Sequence, residues 1–194
     1  MVLADSADEI RTVVYKTTDG GQIYDLSGFS TAAPVYDSAL SADGSHVVWH
    51  SRGTFAVQDA ETGSFGETIS LWDFASSWDL APDNGVLAVG IINDDYESGA
   101  VLFFDPKTGD EIGRALVGEM APHELSYSAD GSVLMAADQK TLFRIDPRSF
   151  ELQEQEEIVS ADAGDLRISS VAPSPDGTSC AVLLSDGNLY LVRN

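Results

Sequence analysis

One turn signal recurs four times along the chain, and its spacing constrains the fold more than any other feature of the sequence. The copies are "SADG" at 41–44, "APDNG" at 81–85, "SADG" at 128–131 and "SPDG" at 174–177. Their aspartates, Asp43, Asp83, Asp130 and Asp176, are 40, 47 and 46 residues apart. Asp-Gly suits a tight turn between antiparallel strands because Gly accepts positive φ and Asp tolerates it. The chain is therefore built from a repeat, and the repeat sets the fold.

Each turn signal is followed by two short apolar runs and, in the first three repeats, by a third, more polar run. The first runs are "HVVWH", "VLAVGII", "VLMAA" and "CAVLL", which are rich in apolar and β-branched residues and too short for helices. Three of the second runs end in an aspartate, at Asp59, Asp105 and Asp146. The acidic block 151–159 is the one rival for a helix, and its place in the repeat favours an exposed outer strand. The sequence predicts an all-β chain with four antiparallel strands per repeat.

Four antiparallel strands in about 40–45 residues is the size of one β-propeller blade. The repeats resemble the WD-repeat and TolB-like propeller group over nearly the whole chain, and the closest stretch is "VAPSPDGTSCAVLLSDGNLYLVRN" at 171–194. The Gly-His pair that usually precedes the inner strand in that group is absent here. The resemblance implies a single domain, 1–194, that is a β-propeller or a partial propeller of four-stranded blades. We expect a partial blade over 1–36, full blades over about 37–75, 76–121 and 122–165, and a partial blade over 166–194.

The dipeptide Trp-Asp, which names the WD repeat, occurs at Trp72-Asp73 and Trp78-Asp79. In this register the signature would fall at the end of a third strand, where Gln58-Asp59 and Phe104-Asp105 stand. Trp72 falls instead on an outer strand and Trp78 on the next inner strand. Both pairs are therefore coincidental, and we expect both indole rings to pack between neighbouring blades.

The last repeat ends at its third strand, "NLYLVRN", 188–194, without an outer strand. The far edge of that strand would offer unpaired N–H and C=O groups to another strand. Three completions are open: residues 1–4 folding back, a second copy of the chain, or a different protein. The first partial repeat has its own outer strand, "STAAPVY" at 30–36, which argues against a clean merger. We therefore expect a protein partner or self-association to complete the open blade.

The charge of the chain excludes two classes of partner. There are 32 acidic and 10 basic residues, for a formal net charge of -22. Such a chain repels phosphate backbones and anionic lipids, so we expect neither nucleic acid nor membrane as a partner. Asp outnumbers Glu by 21 to 11 and Arg outnumbers Lys by 7 to 3, as in proteins adapted to high intracellular salt. Turn-rich β proteins also collect Asp, so both origins stay open.

The termini and cysteine usage suggest a cytoplasmic address. No apolar run approaches the ~20 residues needed to span a bilayer. The first residues, "MVLADSADEIR", lack the basic and apolar regions of a signal peptide. Cys180 is the single cysteine, so no disulfide can form within the chain.

No strong catalytic or metal motif is present in the sequence. His46 and His50 share one strand face but would lie ~13 Å apart along it, too far to share a metal. "GFSTA" at 28–32 vaguely resembles a serine nucleophile elbow, but no helix follows it. Cys180 lies in an apolar run and is interpreted as a buried small hydrophobe. We expect no cofactor and no catalytic constellation.

The segment "INDDYESGA", 92–100, contains the strongest candidate residues for a site. Asn93, Asp95 and Glu97 alternate as oxygen ligands of calcium would, but the bidentate Glu of a calcium loop is replaced by Phe104. Calcium is therefore the weaker interpretation.

In propellers of the resembling group, this loop shares a face with the connection "GEMAPH", 118–123. A shared face would present acids to a basic partner and Tyr and Met as adaptable apolar contacts. The predicted partner-binding residues are Asp94, Asp95, Tyr96, Glu97, Glu119, Met120 and His123. Solvated loops that bind nothing are the competing interpretation.

The sequence therefore favours a non-enzymatic propeller module that mediates protein–protein interaction or assembly. This rests on the missing catalytic constellation and on analogy of fold. The alternative is a propeller-type enzyme or binder of small molecules or carbohydrates that uses carboxylates near the central channel. The inner strands offer Asp37, Asp79 and Glu124 for that role. A third interpretation is a chain that is one part of a larger propeller.

Overall fold

The computed structural model describes residues 13–15, 22–25, 37–41, 43–51, 53–71, 75–83, 85–92 and 98–193. These residues form strands and turns and no helix, which confirms the all-β prediction. Accordingly, this part of the chain holds no helix of the length and apolarity that crossing a bilayer requires.

The strands pair antiparallel in sheets that follow the order of the chain. A two-stranded sheet joins β1 (Val13–Tyr15) and β2 (Gln22–Asp25). The first sheet comprises β3 (Asp37–Leu40), β4 (His46–Ser51), β5 (Thr54–Asp59) and β6 (Phe65–Ser70). The second comprises β7 (Ala75–Leu80), β8 (Leu87–Ile92), β9 (Gly99–Phe104) and β10 (Glu111–Val117). The third comprises β11 (Glu124–Tyr127), β12 (Leu134–Ala137), β13 (Thr141–Asp146) and β14 (Glu151–Glu157). The fourth comprises β15 (Ile168–Pro173), β16 (Ser179–Leu184) and β17 (Leu189–Arg193).

The recurring aspartates close the turn between the first two strands of each sheet. Asp130 Oδ1 accepts hydrogen bonds from Ser128 Oγ at 2.8 Å and from the Ser132 N–H at 2.9 Å. Asp176 Oδ1 accepts from Ser174 Oγ at 2.7 Å and the Thr178 N–H at 3.1 Å. The side chain thus supplies the acceptor that the tight turn needs.

A second series of aspartates closes the turn between the third and fourth strands of the first three sheets. Asp59, Asp105 and Asp146 each accept the N–H two residues ahead, at 3.0, 2.8 and 2.8 Å. Much of the aspartate excess is therefore accounted for by turns.

Three apolar clusters lie between successive sheets, which stack face to face. The first joins Val48, Phe55, Val57 and Ile69 of the first sheet to Leu87, Val89, Ile91, Ala100, Leu102 and Phe104 of the second. The next joins Val101 and Phe103 of the second sheet to Leu134, Phe143 and Ile145 of the third, among other residues. The last joins Met135, Ala137 and Leu142 of the third sheet to Cys180, Val182 and Leu184 of the fourth, among others. Burial of these side chains from water is the main force that holds the stack together.

The tryptophans follow the predicted register where they are described. Trp78 lies on β7, and its ring meets Phe55 of the first sheet edge-on, with centroids 5.8 Å apart. It therefore packs between two sheets, while Trp72 lies outside the described residues. At the end of the third strand, Gln58 is buried and accepts a hydrogen bond from Trp49 Nε1 at 3.2 Å.

Cys180 is buried among the apolar residues of the last cluster, as predicted, and burial raises the pKa of its thiol. The thiolate is the reactive form of cysteine, so this environment disfavours a role as a nucleophile.

Candidate functional site

The structure describes three of the predicted partner-binding residues, Glu119, Met120 and His123. Asn93, Asp94, Asp95, Tyr96 and Glu97 lie outside the described residues, so the calcium and partner hypotheses for that loop stay predictions. Glu119 and Met120 are exposed in the turn after β10 and line an open depression with Lys140 and Gln155. The described ranges contain no group of three or more His, Cys, Asp or Glu side chains that could hold a metal ion.

His123, the remaining predicted partner-binding residue, connects the third and fourth sheets. Its Nε2 is 2.9 Å from the carbonyl oxygen of Ile168, and because a carbonyl can only accept, Nε2 carries the proton. The ring therefore has a structural partner within the stack, which the sequence did not indicate.

A related contact connects the second and third sheets. Ser76 Oγ and Ser77 Oγ donate to the carbonyl oxygen of Pro122, at 2.7 and 2.5 Å. Both side chains reach one carbonyl because the pairing of β7 with β8 shifts register between Ala75 and Ser77, and such a bulge re-aims side chains. Ser76 and His123 each lie five residues before a turn signal, and Pro122 and Ile168 each lie six before one. In both contacts, the side chain at one repeat position bonds to the carbonyl at the preceding repeat position of the next sheet.

A cleft of about 300 Å³ opens where three inner strands begin. Asp37, Ser77 and Glu124, each four residues before a turn signal, line it together with His50, Trp78 and His123. Two of the three carboxylates predicted for a central channel, Asp37 and Glu124, thus share one cleft.

The third predicted carboxylate, Asp79, has a different environment. Its Oδ2 accepts the N–H of Tyr127 in the third sheet at 2.7 Å, and its Oδ1 accepts the Leu80 N–H at 2.9 Å. Burial raises the pKa of this carboxyl, against the effect of the two N–H donors. Asp79 therefore connects two sheets and does not line the cleft.

His50 provides a neutral aromatic wall for the cleft. Its ring stacks on Phe55 with centroids 4.5 Å apart, and Nε2 accepts the Gly53 N–H at 3.2 Å. Burial lowers the pKa of His50, and the nearby Asp37 opposes this shift. An imidazole whose Nε2 is an acceptor is uncharged, so His50 adds no charge to the cleft.

The fourth sheet has one apolar face that packs on the third sheet and a second face, here called the open face, that no other described sheet covers. Alternation along the strands places on the open face Ala172, Ala181, Leu183, Leu189 and Leu191. Leu189, Leu191 and Leu183 are 70%, 58% and 38% exposed, whereas Leu142, which has the position of Leu189 in the third sheet, is 4% exposed. In the described chain β17 pairs with β16 alone.

Ser169 shares the repeat position of Ser76 and His123, five residues before a turn signal. It is exposed, and its hydroxyl makes no hydrogen bond among the described residues. A register shift between Ile168 and Ser170 repeats the bulge found at Ser76. Sequence reasoning missed this position, although the recurring Ser-Ser pair, 76–77 and 169–170, was a signal that could have revealed it.

Comparisons with known proteins agree with the fold and assign no family. No family model matches the chain, and no curated protein matches it. Among solved structures, it is similar to hydrazine synthase of Kuenenia stuttgartiensis, with a TM-score of 0.65 and 21% identity over 84% of this chain and 47% of that chain. The chain thus spans about half the length of that protein, and at this identity the likeness concerns the fold alone.

Proposed function

We propose that the chain is a non-enzymatic module of propeller type that assembles with a second copy of itself through the open face of the fourth sheet. The observation that carries the proposal is the exposure of Leu183, Leu189 and Leu191 on one sheet face. Each side chain removed from water there stabilises an assembly by roughly 1–2 kcal/mol. Contiguous exposed apolar residues on a sheet are typical of interaction surfaces.

The repeat provides independent support for a partner that covers the open face of the fourth sheet. Each preceding sheet covers the face of the one before it, and Ser76 and His123 donate to a carbonyl of the following sheet. Ser169 has the same repeat position, and among the described residues no sheet follows to provide its acceptor. The face-to-face stacking of three four-stranded sheets and one three-stranded sheet also supports the resemblance to WD-repeat and TolB-like propellers, and hence the assignment of each of these sheets as a blade.

The charge distribution favours a second copy as the partner. Among the strand residues of the open face, the one charge is Arg193, which alternation places beside Leu191. In a chain of net charge -22, this face is where two copies approach with little direct repulsion between carboxylates. A patch that meets its own copy about a two-fold axis is the commonest form of homo-oligomer. The same charge supports a module that binds neither nucleic acid nor anionic membrane.

Sedimentation velocity over a range of protein and KCl concentrations tests this proposal. We expect a concentration-dependent dimer that KCl strengthens by screening the acidic surface. Leu189→Glu and Leu191→Glu should each give monomers. Leu116→Glu is a matched control, because Leu116 is 57% exposed on β10 of the second sheet. A wild-type monomer at every concentration and salt level would overturn the proposal.

A second candidate function is binding of a small molecule or carbohydrate in the inner-strand cleft. Its support is the meeting of Asp37 and Glu124 with the Trp78 and His50 rings, because carboxylates and aromatic faces are groups that ligand sites combine. A glycan array and a panel of hydrolase substrates, each run with wild type and Glu124→Gln, would test it. Binding lost in the variant supports a site in the cleft, and a blank array and panel count against it.

A further inference from the structure

One polar group in the described core is buried without a partner. Tyr127 on β11 is 8% exposed, and its hydroxyl has no hydrogen-bond partner among the described residues. A buried unpaired hydroxyl costs roughly 1–3 kcal/mol, so a group of this kind needs an explanation. Burial raises the pKa of Tyr127, and the negative charges of Asp79 and Asp83 raise it further. The phenol therefore stays protonated and can donate a hydrogen bond to a ligand.

Tyr127 lines a cavity of about 130 Å³ between the turns of the second and third sheets. A water molecule occupies about 30 Å³ in the liquid, so the cavity has room for roughly four waters or a molecule of a few non-hydrogen atoms. It is distinct from the inner-strand cleft, because the two share no lining residue.

The charged residues around this cavity have both signs. Asp83 and Asp130, the turn aspartates of neighbouring sheets, line it together with Arg148. Three hydrogen bonds, two from Ser132 and one from Ser128, lower the pKa of Asp130, so its carboxylate is ionised at neutral pH. The Arg148 side chain forms no ion pair within the described ranges, which leaves its guanidinium available to an anion.

We propose that this cavity binds a small zwitterion of the amino-acid type. Tyr127 and Arg148 would donate to its carboxylate, and Asp83 and Asp130 would accept from its ammonium group. Acetate has no ammonium group to donate to the two aspartates, and methylamine has no carboxylate to accept from Tyr127 and Arg148. The volume limits the ligand to the size of glycine or alanine.

Isothermal titration calorimetry with glycine, acetate and methylamine on the full chain tests the proposal. Glycine should bind saturably, and acetate and methylamine at least about tenfold more weakly. Tyr127→Phe removes one oxygen and should weaken glycine binding by about tenfold or more. Because it also removes the orphan hydroxyl, the ligand-free variant should melt no lower than wild type.

Arg148→Gln, at an exposed position, should weaken glycine binding to a similar extent, and Arg167→Gln is the matched control that should leave it unchanged. A flat glycine titration would mean that the cavity holds water only and would overturn the proposal. Equal binding by wild type and Tyr127→Phe, or binding of acetate as tight as that of glycine, would overturn it as well.

Discussion

The ring of Phe150 lies against the ring of Phe103 in the neighbouring sheet, with centroids 4.7 Å apart. Phe150 has a positive φ of 61°, which is rare for a bulky residue. It holds the position that Gly63 and Gly109 hold in the preceding repeats, four residues after the turn aspartate. A Cβ built on Gly113 would lie 2.1 Å from the Phe150 ring. The ring therefore fits only because residue 113 has no side chain. The contact thus combines a strained backbone with aromatic packing.

Replacing Phe150 separates these two effects. Phe150→Ala loses the ring but keeps the unfavourable φ, and Phe150→Gly loses the ring and relieves the backbone. We expect both variants to be less stable than wild type and Phe150→Ala to be the less stable of the two by about 1 kcal/mol. Urea unfolding measures the difference, and an alanine variant as stable as the glycine variant would refute the account of strain.

Asp79 should make stability fall as pH rises above its ordinary pKa of 3.8. Its pKa is higher in the folded chain, so the folded state binds the proton more tightly and is favoured at low pH. Asp79→Asn keeps an oxygen for the Tyr127 N–H without the buried charge and should abolish this contribution. Asp79→Ala leaves that N–H unpaired and should cost about 1–3 kcal/mol at pH 7. Urea unfolding at pH 4 and pH 7 tests both variants, and an unchanged pH slope in Asp79→Asn would contradict the prediction.

Asp176 should titrate with a pKa of about 2, because Ser174 and Thr178 donate to its carboxylate. A depressed pKa contributes stability above 3.8, and that contribution is lost as pH falls towards 2. Carbon-detected NMR titration should show the pKa rising in Ser174→Ala and in Thr178→Val. Thr108→Val, in a turn of the second sheet, is the control and should leave the Asp176 midpoint in place.

Stability should rise with salt. At a net charge of -22, self-repulsion opposes compaction, and added ions screen it. The melting temperature should climb steadily with KCl, and the slope should be smaller in a Glu154→Gln, Glu156→Gln double variant of the exposed outer strand β14. A flat response in wild type would remove both the repulsion argument and the suggestion of salt adaptation.

The sheets were predictable because turn chemistry is local. Asp130 closes its own turn through residues two positions away, so the Asp-Gly spacing is enough to place the strands. Asp37 and Glu124 could likewise be paired from their common place in the repeat. By contrast, His123 bonds to Ile168, which is 45 residues ahead, and no local pattern reports such a partner. The unusual backbone of Phe150 does have a signal in the sequence, because the same position is occupied by Gly63 and Gly109 in the two preceding repeats.

The stacking of sheets in chain order means that each apolar cluster joins two neighbours. Stability in such an array is a sum of nearest-neighbour interfaces, and among the described residues the fourth sheet shares one cluster where the second and third sheets share two each. The fourth sheet of a free monomer should therefore open as a separate cooperative unit while the second and third sheets stay folded. Amide hydrogens of β16 should exchange with solvent faster than those of β8 and β12. Under mechanical load applied at the carboxyl end, the chain would peel one sheet at a time.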